Sequence, residues 1–291
     1  MSYAFIEENV ADFPVHAMCA ALGVSRSGYY GWAKRPEGVR AQADSALAGA
    51  IRDAHEASRG RYGSPRVHAE LRAQGRRVGR KRVARLMRGM GLAARRRRRF
   101  RCTTDSRHGY PVAPNLLQRD FRAAAPDRVW LADITYIGTA EGWLYLAAVL
   151  DLFSRKIVGW AMAEHLGHEL ALAALDMAIA NRRPAPGLVH HSDRGVQYAA
   201  HGYRRRLQAQ GMLCSMSRKG DCWDNAPMES FFATLKGELV EQRDYLTRAE
   251  ARADVFQYIE GFYNRRRHHS AIGYLTPEQM ATTSPAADLA A

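Results

Sequence analysis

The sequence predicts an α/β domain over residues 125–285, preceded by two all-α units. Three observations carry that expectation. After residue 127 the chain runs through three apolar, strand-forming stretches and then alternates helical and strand patterns. Before residue 95 it shows helical periodicity broken by glycines. The excess positive charge is confined to the first part: residues 1–120 hold 24 Lys/Arg against 10 Asp/Glu, whereas residues 121–291 hold 19 of each.

The first helical unit is assigned to residues 1–38. Val15 to Leu22 has helical character, Gly23 breaks it, and Ser25 is placed to cap a second helix through Tyr30 and Trp32. A helix, a glycine turn and a second helix carrying Arg26 and Tyr29 form the arrangement of a helix-turn-helix DNA reader. The second unit spans 39–94. Asp44 is read as the cap of a helix reaching Ser58, Gly60 and Gly63 break it, and Ser64-Pro65 opens a helix that Gly75 ends. In the last helix, Val83, Leu86, Met87 and Met90 form one apolar face, and Arg80, Lys81, Arg82, Arg85 and Arg88 occupy the rest. No acid lies between Arg76 and Arg101, so these cations are expected to meet phosphates rather than to form a merely solvated face. Residues 95–124 read as a basic linker, in which Arg95, Arg96, Arg97, Arg98, Arg99 and Arg101 are expected to track a nucleic-acid backbone.

In the α/β domain, strands are expected at 128–137, 143–151 and 156–163, then a helix at 167–181, a strand ending at Asp193, a helix near 203–210, a strand at 213–216 and a helix carrying Glu229. Residues 286–291 form a tail. Three strands in a meander followed by alternating helix and strand is the order of a ribonuclease-H-like fold.

Composition narrows the class. The chain has 291 residues, 47% of them hydrophobic, and a net charge of +14. No run of about 18 uncharged apolar residues exists, and the first ten residues carry Glu7 and Glu8 without a basic start, so neither a membrane span nor a signal peptide is expected. The four cysteines stand far apart with no C-x-x-C pair, which argues against a zinc site or disulfide framework and fits a reducing cytoplasm. A basic front half joined to a neutral body marks a polyanion-binding arm on an enzymatic domain.

The chemistry is expected at Asp133, Asp193 and Glu229. Asp133 interrupts the apolar run Val129–Ile137, Asp193 ends Leu188–Ser192, and Glu229 opens an amphipathic segment. A lone buried carboxylate is costly, whereas three from two strands and a helix can converge on a divalent cation. Magnesium takes a few carboxylates together with phosphate oxygens and water, which suits three acids with no His/Cys cluster. Lys236, two helical turns beyond Glu229 on the same helix face, reads either as an ordinary solvated lysine or, by its place beside the acids, as a contact to DNA phosphate. His190 and His191 lack a third ligand at fitting spacing and read as strand packing or support for the acids, and Asp151 as a turn residue. Trp223 reads either as a base-stacking aromatic or as a packed one.

Several motifs resemble a known family. Trp130 to Tyr136 (WLADITY), His191 to Tyr198 (HSDRGVQY) and Asp224 to Phe232 (DNAPMESFF) are similar to the catalytic motifs of bacterial insertion-sequence transposases, in particular the second-frame products of the IS-three family, relatives of retroviral integrases. Tyr263 to Ser270, with Gly273-Tyr274 and Thr276-Pro277, resembles that family's C-terminal block, and Ala20 to Tyr30 its N-terminal one. The resemblance covers nearly the whole chain, although the zinc-binding domain of integrases has no counterpart here.

The resemblance implies a retroviral-integrase-like core in which Asp133, Asp193 and Glu229 hold two Mg2+ ions, with Mn2+ able to substitute. It implies cleavage at the ends of a mobile element and transfer of the freed 3′-hydroxyl to target DNA. Arg265, Arg266 and Arg267 of the C-terminal block are expected on DNA, and the family position of Lys236 favours its contact to DNA phosphate. The expected partners are double-stranded DNA (terminal inverted repeats and target), further copies of the chain on that DNA, and an upstream first-frame product as a fusion; the expected location is the bacterial cytoplasm. The alternative is a metal-dependent, structure-specific nuclease of the same fold without strand transfer, which would not need two basic helical units. A DNA-binding regulator with a degenerate core would lack at least one acid of the triad, and all three are present.

Overall fold

Alternation along Val129–Thr139 (β1) decides the layering of the α/β domain. In the computed structural model, which describes residues 2–34, 38–94, 112–218 and 222–283, Trp130 and Ala132 enter one apolar cluster while Leu131 and Ile137 enter another. The strand therefore buries both faces, as a near-continuous apolar run predicts. β1 pairs antiparallel with Gly142–Asp151 (β2), and β2 pairs antiparallel with Ile157–Ala163 (β3). On its other side β1 pairs parallel with Val189–Ser192 (β4), which pairs parallel with Leu213–Met216 (β5). The sheet order β3-β2-β1-β4-β5 is the ribonuclease-H-like arrangement expected from the element sequence.

The helices cover the sheet as two layers. His168–Arg182 (α7), Val196–Ala199 (α8) and His201–Ala209 (α9) lie over the Trp130 face, their Leu170, Ala174, Leu175, Tyr198, Tyr203 and Leu207 buried against it. α7 seats closely on β3 because Gly159 has no side chain: a Cβ there would stand 2.2 Å from the Ala174 carbonyl oxygen and 2.5 Å from the Ala178 nitrogen. Gly159→Ala is therefore expected to push the helix off the strand and to cost about 1–3 kcal/mol or more, read as a lower thermal midpoint. Ala226–Glu238 (α10), Arg248–Phe256 (α11) and the π-helical turn Gln257–Tyr263 cover the Leu131 face. The π-helical turn was not legible in the sequence.

The helical units differ from expectation in three respects. A helix at Ser2–Glu8 (α1) precedes Val15–Ala21 (α2) and Arg26–Ala33 (α3), and its Ile6 completes a small core with Met18, Cys19 and Tyr29. Ser25 does cap α3, its hydroxyl accepting from the Gly28 nitrogen. Val39–Ala57 (α4) starts after Gly38, so Asp44 lies inside the helix rather than capping it. The third difference is the largest. α4, Ser64–Ala73 (α5) and Arg80–Gly89 (α6) bury Ile51, Tyr62, Leu71, Val83 and Met87 in the same apolar cluster as Leu131, Phe231, Tyr258 and Phe262 of the α/β domain.

That junction is polar as well as apolar. The Tyr62 hydroxyl donates to the Arg266 carbonyl (2.7 Å) and accepts from the His268 nitrogen (3.1 Å), and Arg66 Nε donates to the His268 carbonyl (3.0 Å). The Arg61 guanidinium lies 4.4 Å from the Phe262 ring centre and 5.1 Å from that of Tyr258. The short C-terminal helix Pro277–Thr282 (α12), closed by a Thr276/Gln279 capping box, completes the described chain. Among the described residues no helix is long and apolar enough to cross a membrane.

Candidate catalytic site

The parallel register between β1 and β4 brings the two aspartates together. Ala132 stands opposite Ser192, so Asp133 and Asp193 follow at the same level on neighbouring strands. Strand alternation turns Asp133 to the face of Leu131 and Asp193 to that of Val189, which is the face α10 covers. Glu229 sits in the first turn of α10. The start of that helix is tied to β1 by Asn225, whose Nδ2 donates to the Ala132 carbonyl (3.2 Å), the residue before Asp133. All three acids are half-buried.

The electrostatics are those of a site built for positive charge. Burial pushes the Asp133 carboxyl well above the usual carboxylate range, Asp193 adds to the shift and Glu229 adds less, while the Ile134 N–H and Lys236 oppose it. Burial alone raises Glu229. Asp193 Oδ1 accepts from the Gly195 nitrogen (2.9 Å), and a Cβ on Gly195 would stand 3.0 Å from that oxygen. The Lys236 ammonium lies 4.7 Å from the Tyr136 ring centre, its pKa lowered by burial against the pull of Glu241 and Asp133.

A magnesium-type cation fits this donor set by its chemistry: hard carboxylate oxygens, two of whose charges help raise the pKa of the third, Asp133, and no sulfur or imidazole among the three. Two buried polar atoms support the fit. The Tyr198 hydroxyl and Asn225 Oδ1 have no hydrogen-bond partner, although both residues neighbour the acids in sequence and fold. Among the described residues, however, no three acidic, His or Cys side chains gather closely enough to grip one ion.

Asp224, beside the candidate site, is a buried carboxylate that the sequence reading did not single out. Its carboxylate is fully buried and accepts from Asn115 Nδ2 (2.9 Å), Arg119 Nε (3.1 Å), and Arg218 N, Nε and Nη2 (2.8, 3.0 and 2.8 Å). Those bonds, led by Arg218, hold it far below the carboxylate range against burial. The clasp joins the segment before β1 and the end of β5 to the start of α10. Its signal lay in the Asp-Asn pair that opens the Glu229 motif.

The remaining expected site residues divide. His190 and His191 serve packing: His190 Nε2 meets the Tyr203 hydroxyl (2.9 Å), and His191 bridges Ser215 Oγ (2.8 Å) and Ser217 Oγ (3.2 Å). Asp151 is a turn residue, accepting from the Asp127 and Ser154 nitrogens and the Ser154 hydroxyl. Trp223 stands exposed beside the buried Asp224.

Of the cations, Arg26, Arg80, Lys81, Arg88, Arg265 and Arg266 are exposed. Arg82 and Arg85 both grip Asp44 at 2.6 Å, so their charge is partly answered within the chain. Two residues expected on DNA are turned inward. Tyr29 is 4% exposed, its hydroxyl donating to Glu7 and its ring packed against those of Tyr3, Tyr30 and Trp32. Arg267 is 4% exposed and forks onto Glu238 through Nε and Nη2. Burial and prior pairing remove both from a phosphate surface. Arg95, Arg96, Arg97, Arg98, Arg99 and Arg101 lie outside the described residues.

Comparison with known proteins agrees with this architecture. An integrase core domain model matches residues 123–222, a second integrase core model residues 210–277, and an HTH-like domain model residues 42–100. The chain is 44% identical over 281 residues to the transposase InsF for insertion sequence IS3A of Escherichia coli (strain K12), covering 96% of this chain and 98% of that one. It is 48% identical over 260 residues to the insertion element IS600 uncharacterized 31 kDa protein of Shigella sonnei, covering 89% and 96%. Among solved structures it is similar to a chain of the simian T-cell lymphotropic virus intasome complex with PP2A regulatory subunit B56 gamma, with a TM-score of 0.48, 16% identity, and 74% of this chain and 70% of that one covered.

Proposed function

This chain belongs to the insertion-sequence transposases that carry an integrase core, and from that premise we propose that Asp133, Asp193 and Glu229 are its catalytic acids. It is a DNA-binding polynucleotidyl transferase with an HTH-like unit ahead of the core. The observation that supports the acids' role best is the parallel β1–β4 register, which sets Asp133 level with Asp193 on the face that α10 covers with Glu229.

On this reading the three carboxylates hold two divalent cations, Mg2+ or in its place Mn2+. When bound, such a pair supplies Lewis-acid stabilisation of the attacking and leaving oxygens of an in-line phosphoryl displacement. The chain's own residues do the rest. Asn225 keeps the helix bearing Glu229 in register with the strand bearing Asp133. Lys236, held over Tyr136, meets a DNA phosphate near the scissile bond.

Two displacements then follow in order. Water cleaves a phosphodiester at the element's end and leaves a 3′-hydroxyl. That hydroxyl attacks a target phosphodiester, forming one P–O bond as another breaks, with the target's own 3′-hydroxyl departing. Arg26, Arg80, Lys81 and Arg88, with Arg265 and Arg266, supply the exposed positive charge for terminal repeats and target.

One set of acids acts on one scissile phosphate at a time, and an element has two ends, so the active form is an assembly of two or more copies on DNA, with an upstream first-frame product available as a fusion partner. Because α4–α6 share a core with the α/β domain, only α1–α3 are free to serve a neighbouring copy. A joining assay with labelled element ends tests the reading. Labelled 3′-ends should become covalently attached to a second duplex in Mg2+; nicking without any joining would show a nuclease instead.

A further inference from the structure

The α1–α3 unit is poorly charged for the DNA reader that its helix-turn-helix outline suggests. Residues 1–34 hold two cations, Arg26 and Lys34, against three acids, Glu7, Glu8 and Asp12, whereas residues 35–120 hold 22 cations and 7 acids. Affinity for DNA is drawn from many Arg and Lys contacts to phosphate. α3, the helix that would enter a groove, carries Arg26 and no other cation. The HTH-like match begins at residue 42, beyond this unit.

The surface of the unit is apolar instead. Phe5, Val10, Phe13, Leu22, Tyr30 and Trp32 stand 39–58% exposed. Phe5 and Phe13 are tied to one stretch of backbone: the Phe5 carbonyl accepts from Asn9 Nδ2 at 2.8 Å, and the Phe13 nitrogen donates to the Asn9 carbonyl at 3.0 Å. The Tyr30 ring lies 5.1 Å from that of Tyr29, and the Trp32 ring 6.0 Å from that of Tyr3 on α1. Single exposed apolar residues need no explanation, but six large ones on three short helices mark an interaction surface.

The core beneath is correspondingly thin. Ile6, Met18, Cys19 and Tyr29 are buried, with Tyr3, Val15 and Val24 packed against them, and all seven belong to the unit itself. A unit below about 40 residues ordinarily needs a disulfide, a metal or an associated chain to fold. Cys19 is its single cysteine and is free, and among the described residues no metal-holding group is present. Association is the remaining means.

We infer that α1–α3 is a self-association unit, in which the apolar surface of one copy packs against the same surface of a second and completes both cores. The inference rests on the reading of the active form as an assembly of copies, and it supplies the contact. The occupant is a second copy on grounds of charge and symmetry. Side-chain charge in residues 1–34 is nearly balanced, so two such units meet without the repulsion that the basic α4–α6 would impose. An apolar surface complements itself, and a twofold pair closes without leaving a face open.

The test weighs the full-length protein by analytical ultracentrifugation over a range of concentrations, with and without element-end DNA. The parent is compared with two double variants, Phe5→Lys/Phe13→Lys and Phe5→Glu/Phe13→Glu. The parent is expected to pair, and each variant should need about 100-fold more protein to do so, because like charges are then pressed together. Joining of paired ends should fall about tenfold or more as linked binding is lost. Mixing the Lys and Glu variants should restore both the pair and the joining, as two folding lesions would not; a mixture that stays single overturns the inference. A DNA reader would behave otherwise, the Lys variant binding element ends more tightly and the Glu variant more weakly at unchanged mass, and that result also overturns it. Variants that pair like the parent remove this surface and leave the assembly reading standing. A parent that stays single at every concentration, with DNA as without, sinks both.

Discussion

Alanine at Asp133, Asp193 or Glu229 is expected to abolish end cleavage and joining while leaving affinity for element-end DNA within a few-fold of the parent. Loss of a group that merely orients a metal ligand costs about 10–100-fold, so loss of a ligand itself should exceed that range. Binding should survive because the excess positive charge is confined to residues 1–120, while residues 121–291 balance 19 cations with 19 acids. Stability supplies an independent check. Asp133 is held in unfavourable company, its charged form opposed by burial and by two acids more than the Ile134 N–H and Lys236 favour it, so Asp133→Asn relieves a net repulsion. That variant should melt no lower than the parent, as expected where function rather than folding maintains a destabilising group. Cleavage and joining are read on denaturing gels, binding by fluorescence polarisation, and folding by thermal melt. An alanine variant that keeps substantial cleavage in magnesium would remove its residue from the site.

The parts of the molecule legible in the sequence are those whose signal is local. The strand runs around Asp133 and Asp193 read correctly because a strand buried on both faces is apolar almost throughout, which makes one carboxylate conspicuous. Ser25 read correctly as a cap because capping is settled within three residues. Failures came where the deciding partner is distant. In Arg265-Arg266-Arg267 three identical cations look equivalent, yet the third turns inward to Glu238, and no local feature separates it from its neighbours. Asp44 has the chemistry of a cap, but its partners Arg82 and Arg85 lie on another helix, and the helix starts five residues earlier at Val39. The docking of α4–α6 escaped notice for the same reason. It depends on Tyr62 meeting the Arg266 carbonyl and the His268 nitrogen, a pairing that only the assembled fold creates. Charge asymmetry located the boundary between basic and neutral composition correctly, but that boundary is not the boundary of the core.

The second large effect is expected at Glu238, where that shared core is knotted. Its side chain, 12% exposed, accepts Arg267 Nε and Nη2 (the latter at 2.7 Å) and the Tyr258 hydroxyl (2.8 Å), with Arg66 Nη1 at 3.6 Å. The Glu238 carbonyl meanwhile accepts from Arg61 Nε at 3.3 Å, so one residue at the end of α10 binds both the C-terminal block and the α4–α5 turn. Burial alone would raise its pKa, but the charge and hydrogen bonds of Arg267, followed by Arg66 and Tyr258, outweigh it and hold the carboxyl below its ordinary value. A carboxyl depressed in the folded state contributes stability that is fully present above its unfolded pKa and is lost as pH falls through the folded one. This contribution should therefore fall away as pH drops from the ordinary glutamate range towards the lower folded value, and Glu238→Gln should flatten that limb of the stability curve. Glu238→Ala leaves Arg267 buried without an anion, for which about 3–5 kcal/mol is the usual cost. In a chain of this size that is a fall in thermal midpoint of roughly 10 °C, at about 2–4 °C per kcal/mol. Replacing both partners, Glu238→Leu with Arg267→Met, should recover most of the loss because no charge is left stranded. DNA binding should weaken in Glu238→Ala and return in the double variant, since α4–α6 lose and regain their seat on α10 and the π-helical turn. A single variant that melts within about 2 °C of the parent would mean that this ion pair does not hold the two parts together.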